Sequence, residues 1–185
     1  MSELEQRIAR LEARFAIQDV MYRYAECVDL ARFADLGELF RHGSIYAVGE
    51  EPMRGADTVR RFYAATNKVH ADGTLRTRHL ASNRIVEVEP GGTRAKSRSY
   101  FVVLQATDAV PLQPIVAGRY HDRFHVVDGA WWFDERELRA AFTRVSLVAG
   151  DNVFFIFALG LLTSDLHAVF QLGVAWAVGV WIFTV

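Results

Sequence analysis

Apolar residues recur at Leu4, Ile8, Leu11 and Phe15, at spacings of four, three and four, which is the period of an amphipathic helix. Ile17, Met21, Tyr24 and Val28 continue that period after a small register shift, so one long first helix is predicted, ending near Asp29. A short second helix, Ala31 to Phe40, stops at Gly43, and Ser44 to Val48 (SIYAV) forms a short strand after it. After the Pro52 and Gly55 punctuation, Ala56 to Asn67 forms a third helix with Val59, Phe62 and Tyr63 on its apolar side. Beyond Gly73 the period becomes alternating, giving four long strands: about Thr74 to Val88, Arg94 to Ala106, Ile115 to Val127 and Ala130 to Arg144. The turns EPGGT and VDGA carry hairpin chemistry, because glycine supplies the positive φ that tight turns demand. Helices first and a strand meander afterwards predict an α+β domain whose curved antiparallel sheet is closed on its concave face by helices.

The pattern changes again near Asn152. From Val153 to Val185 the only formal charge is Asp165, so the chain divides into a domain over 1–152 and a hydrophobic tail over 153–185. As one straight helix the tail would reach roughly 50 Å, against a hydrocarbon core of about 30 Å, so it must bend or break. Ala168 to Val185 is just long enough to span a bilayer. The tail is thus read as a membrane anchor, as a segment that packs on its own domain or on an oligomer interface, or as a segment without function. Arg139 and Arg144 lie upstream of it, an arrangement that keeps the folded domain in the cytoplasm.

Composition narrows the function classes. Among 185 residues, Lys+Arg 21 and Asp+Glu 22 nearly cancel, and the basic residues form no stripe, which argues against nucleic acid as a partner. One cysteine, Cys27, excludes a disulfide framework and a thiolate metal cluster. The charged N-terminal stretch is unlike a secretory signal, so a cytoplasmic location is expected, membrane-associated only through the tail. His121 and His125 lie four residues apart along one strand, roughly 13 Å, too far for one ion; their face reads as solvated, and His42 and His70 read as surface residues. No zinc-protease, phosphate-loop or serine-hydrolase motif occurs, so metal-free and cofactor-free chemistry is expected.

Two residues carry a functional hypothesis. Asp29 ends the amphipathic first helix in RYAECVD, where it is drawn toward the interior and needs a partner. His79 sits in TRHLASNRIVEV, and strand alternation groups it with Thr77, Ala81, Asn83 and Ile85 on a face with little charge. A carboxylate on one ring nitrogen would leave the other as a base. On the residues alone the commoner roles are structural, a helix-capping aspartate and a hydrogen-bonded core histidine.

The order of elements, together with AIQDVMYRYAECVDLARFADLGELF, the PMRG turn, RHLASNRIVEV and DGAWWFDE, resembles the nuclear-transport-factor-2-like (SnoaL-like) superfamily over about Leu4 to Asn152. Within it, the chain is most similar to the group of scytalone dehydratase, hexachlorocyclohexane dehydrochlorinase and bile acid 7α-dehydratase. The resemblance implies a cone-shaped fold, a histidine–aspartate pair at His79 and Asp29, and a tyrosine at Tyr24 that donates to a substrate carbonyl or leaving group. It also places Arg136 at an active-site arginine of the dehydrochlorinase; Tyr120 and Asn83 complete the expected substrate-binding set. Scytalone dehydratase has a second active-site histidine on the next strand, and RAKSRSYFVVLQ has none. The activity this resemblance implies is that of a cofactor-independent, dehydratase-like lyase acting on a small apolar cyclic substrate. The alternatives are an isomerase or polyketide cyclase on the same pocket, or a non-catalytic ligand-binding or interaction module. Dimers or trimers are expected through the open sheet face and Trp131, Trp132 and Phe133.

Overall fold

The computed structural model describes residues 2–108 and 111–143. The apolar tail over 153–185 lies outside them, and the anchor expectation with it; no helix among the described residues is long and apolar enough to cross a membrane. Helix α1 runs Glu3–Asp29. Ser2 and Glu5 form a capping box at its start, each side chain bonding the other's backbone N–H, which satisfies two donors that a helix start leaves open. Next come α2 (Phe33–Glu38) and α3 (Ala56–Thr66), with the short strands β1 (Ser44–Ala47) and β2 (Met53–Arg54) between them. The long strands are β3 (Thr77–Val88), β4 (Arg94–Gln105), β5 (Gln113–Val127) and β6 (Ala130–Thr143).

These six strands form one sheet in the order β2-β1-β6-β5-β4-β3. The long strands pair antiparallel as the meander predicts, but β1 pairs parallel with β6, Ser44 opposite Glu135 through Ala47 opposite Leu138. The whole helix-and-meander excursion between them supplies the crossover that a parallel pair requires. At the β5–β6 turn Asp128 and Gly129 both have positive φ, 49° and 79°, the geometry of a two-residue hairpin whose twist matches its strands.

The core lies between the helices and one sheet face. Ile17, Met21, Tyr24 and Val28 of α1, with Leu36, Phe40, Val59 and Tyr63, pack onto Phe101, Val103, Ile115, Tyr120, Phe124 and Phe133. The first apolar stripe of α1 is different: Leu4, Ile8, Leu11 and Phe15 are 46–67% exposed. At about 100° per residue the small register shift in the sequence turns that stripe about 140° away from the buried one, so a single helix presents two separate apolar faces.

Two of the sheet's four register shifts decide which residues near the site face the core. On β3 the register shifts between Ser82 and Ile85, and Asn83 takes φ 51°, a left-handed conformation that asparagine tolerates better than most residues. On β6 an additional residue, Asp134, separates Phe133 from Glu135 in the ladder with β5. Each insertion exchanges the inward and outward positions beyond it.

Candidate active site

The last residue of α1 and the start of β3 are bound together through both main chain and side chain. Leu75 N–H donates to the Asp29 carbonyl at 3.1 Å. The Asp29 carboxylate receives three bonds: His79 Nδ1 to Oδ1 at 2.6 Å, the Thr77 hydroxyl to Oδ1 at 2.7 Å, and the His79 backbone N–H to Oδ2 at 2.9 Å. β3 is the edge of the sheet, so an N–H that no neighbouring strand claims is free for a carboxylate. Burial alone would raise the Asp29 carboxyl. The His79 bond and charge, Thr77 and the His79 amide outweigh it and hold the carboxyl below its ordinary value. An ionised carboxylate accepts only, so the ring proton of a neutral His79 sits on Nδ1 and the lone pair on Nε2. Nε2 has no hydrogen-bond partner among the described residues.

Beside this pair lies a buried polar and aromatic cluster. The Tyr24 ring meets the His79 ring edge-on at 6.4 Å, and its hydroxyl shares a 2.9 Å hydrogen bond with the Tyr63 hydroxyl. Arg136, 1% exposed, is held by Asp122 through two bonds of 2.8 Å, while Ser97 donates to the same carboxylate at 3.2 Å. The guanidinium lies over the rings of Tyr120, Tyr24 and Phe133 at 4.1, 4.2 and 4.5 Å. Its Nη1 is buried and has no partner. Burial raises the Tyr24 hydroxyl despite the nearby Arg136 charge, and pushes Tyr63 and Tyr120 well above the ordinary value; all three therefore keep their protons rather than ionise to phenolates. Burial opposes the Arg136 charge, but Asp122 more than compensates and raises its pKa.

The SnoaL-like domain model matches residues 9–137. The chain belongs to the SnoaL-like family. Its fold is shared with solved structures, among them the following at low identity. A protein of unknown function from Mycobacterium tuberculosis is 23% identical over 91% of this chain and 95% of that one, with a TM-score of 0.64. A candidate scytalone dehydratase from Novosphingobium aromaticivorans is 24% identical over 78% and 94%, at 0.61. A hexachlorocyclohexane dehydrochlorinase from Novosphingobium barchaimii is 18% identical over 74% and 92%, at 0.59. No curated protein matches the sequence.

Within this SnoaL-like domain the structure brings His79, Asp29, Tyr24, Tyr120 and Arg136 together and leaves Asn83 out. The β3 bulge puts Asn83 on the exposed surface and turns Ile85 outward, 45% exposed, while Val86 and Val88 pack against the core. Uninterrupted alternation, which would have grouped Asn83 and Ile85 with His79, ends at that extra residue. His125 also departs from the solvated-face expectation: it is half-buried, its Nδ1 is 3.3 Å from Asp134, and its Nε2 is buried without a partner. Thr77, Tyr63 and Asp122 were not among the expected site residues. Asp122 had a legible signal, since an aspartate on the face shared by Tyr120 and Phe124 requires a buried partner. Thr77 stands two residues before His79 on the same face, whereas nothing local distinguishes Tyr63 from an ordinary core residue. Among the described residues no three His, Cys, Asp or Glu side chains converge to hold a metal ion. A groove of about 330 Å³ is bordered by Arg98, His121, Glu135 and Glu137 and reaches Ser97 and Asp122, but neither Asp29 nor His79 lines it.

Proposed function

We infer that this SnoaL-like domain is a cofactor-independent lyase, eliminating water in the manner of a dehydratase from a small, largely apolar cyclic substrate. The observation that carries the reading is the 2.6 Å bond between His79 Nδ1 and Asp29, which fixes the ring with its basic Nε2 uncommitted. Nε2 removes a proton from carbon; the C–H electron pair becomes the new double bond, and the C–O bond breaks with its pair on oxygen. The imidazolium returns that proton to the departing oxygen, which leaves as water, and His79 is again neutral. Asp29 stabilises the imidazolium as it forms, as a buried carboxylate does for a catalytic histidine. The Tyr24 hydroxyl, ordered by Tyr63, donates to the departing oxygen or to an adjacent carbonyl. Arg136 supplies fixed positive charge behind the tyrosines, where low dielectric strengthens it.

The test is product formation from a panel of cyclic β-hydroxy ketones and halogenated cyclohexanes, with products identified by mass spectrometry. Wild-type protein should release the dehydrated or dehydrohalogenated product. Asp29→Asn and His79→Ala should each abolish turnover with an unchanged circular dichroism spectrum. Near-normal turnover in either variant removes the dyad from the mechanism, and recovery of an isomer or an unchanged ligand replaces elimination with isomerisation or simple binding.

A further inference from the structure

The exposed stripe of α1 repeats as a heptad. With Leu4 and Leu11 at positions d, Ile8 and Phe15 fall at a, the 4-3-4 spacing of a coiled-coil seam. These four residues are exposed, and the packed face of the same helix, Ala13, Ile17, Met21 and Tyr24, points elsewhere. The seam therefore contributes nothing to the core. It continues toward Tyr22, but there the guanidinium of Arg84, from the β3 bulge, covers the ring at 4.5 Å. The free length is thus about three turns, roughly 16 Å from Leu4 to Phe15.

The charges beside the seam specify the partner. Arg7 and Arg14 occupy g; Glu5, Glu12 and Asp19 occupy e. Against a second copy in parallel, each g residue faces the e residue five positions on, so Arg7 meets Glu12 and Arg14 meets Asp19, opposite charges at both places. Antiparallel, g faces g and e faces e, setting arginine against arginine and carboxylate against carboxylate. All of these side chains are exposed and form no ion pair within the chain among the described residues, and only Glu5 is engaged, in the capping box of the helix. Isoleucine at a with leucine at d favours two strands.

We propose that α1 projects a parallel two-stranded coiled-coil seam through which two copies of this chain dimerise, with Leu4, Ile8, Leu11 and Phe15 buried between them. The helix is already nucleated by its packed C-terminal half, so pairing does not incur the nucleation cost that makes short isolated helices unstable. This interface is independent of the proposed chemistry at His79.

The test uses the full chain. Leu4→Cys places thiols opposite each other in a parallel pair and about 16 Å or more apart in an antiparallel one; the native Cys27 is buried. Mild oxidation should convert most of the Leu4→Cys protein to a disulfide-linked dimer, and adding Leu11→Asp should suppress it. In sedimentation equilibrium, Arg7→Glu with Arg14→Glu should weaken dimerisation at least roughly tenfold, and adding Glu12→Arg with Asp19→Arg should restore it. A monomeric full chain overturns the proposal. So does a dimer indifferent to Leu11→Asp, which would place the contact on the sheet or the tail, or a charge reversal that the second pair fails to rescue.

Discussion

Replacing Asp122 by leucine would strand the Arg136 guanidinium, 1% exposed, among three aromatic rings. Among the described residues the carboxylate is the only anion bonded to it, through Nε and Nη2 at 2.8 Å each. Cation–π contacts with Tyr24, Tyr120 and Phe133 offset only part of the desolvation cost of a buried cation, about 1–2 kcal/mol apiece. Breaking a buried pair from one side costs about 3–5 kcal/mol, and Arg136→Met should cost a similar amount by leaving Asp122 with only the Ser97 hydroxyl. The double variant removes both charges and puts methionine among the same rings. It loses roughly 1 kcal/mol at Ser97 but no longer desolvates any ion, so its stability should lie within about 2 kcal/mol of the parent. Urea unfolding of all four proteins, with matching slopes, measures the cycle directly. The reasoning is refuted if Asp122→Leu costs under about 1 kcal/mol, or if the double variant is destabilised by the sum of the single ones.

Local geometry supports two further tests. The folded Asp29 carboxyl lies below its ordinary 3.8, so its stabilising contribution is complete above that value and fades as pH falls through the lower, folded one. The stability gap between parent and Asp29→Asn should therefore shrink as pH falls from about 5 to about 2; a gap that is the same at both ends contradicts the carboxylate bonding. Gly43→Ala would set a Cβ 2.1 Å from the Phe133 carbonyl oxygen and 2.7 Å from that of Asp134, forcing β1 away from β6. A loss of at least about 2 kcal/mol is expected in thermal or urea unfolding, and a neutral effect would contradict this close approach.

Whatever is encoded in period and local chemistry was legible in the sequence. The helical stripes placed α1 and α3, alternation with glycine turns placed four strands, and the family resemblance, more than local pattern, singled out Asp29 and His79, which the structure joins by a hydrogen bond. Long-range pairing was beyond it. The parallel β1–β6 contact joins segments separated by most of the described chain, and no local pattern selects parallel over antiparallel. A bulge is a single inserted residue without a fixed composition, so the sequence could not show that Asn83 turns outward. Nor could it show that Asp134 brings Arg136 onto the face of Phe133, three residues away instead of two or four. The tertiary structure decided these because pairing between strands sets inward and outward positions, and it decided as well that the first apolar stripe of α1 stays exposed. Helical periodicity shows that a face is apolar; only the packing of the rest of the chain shows whether it is covered.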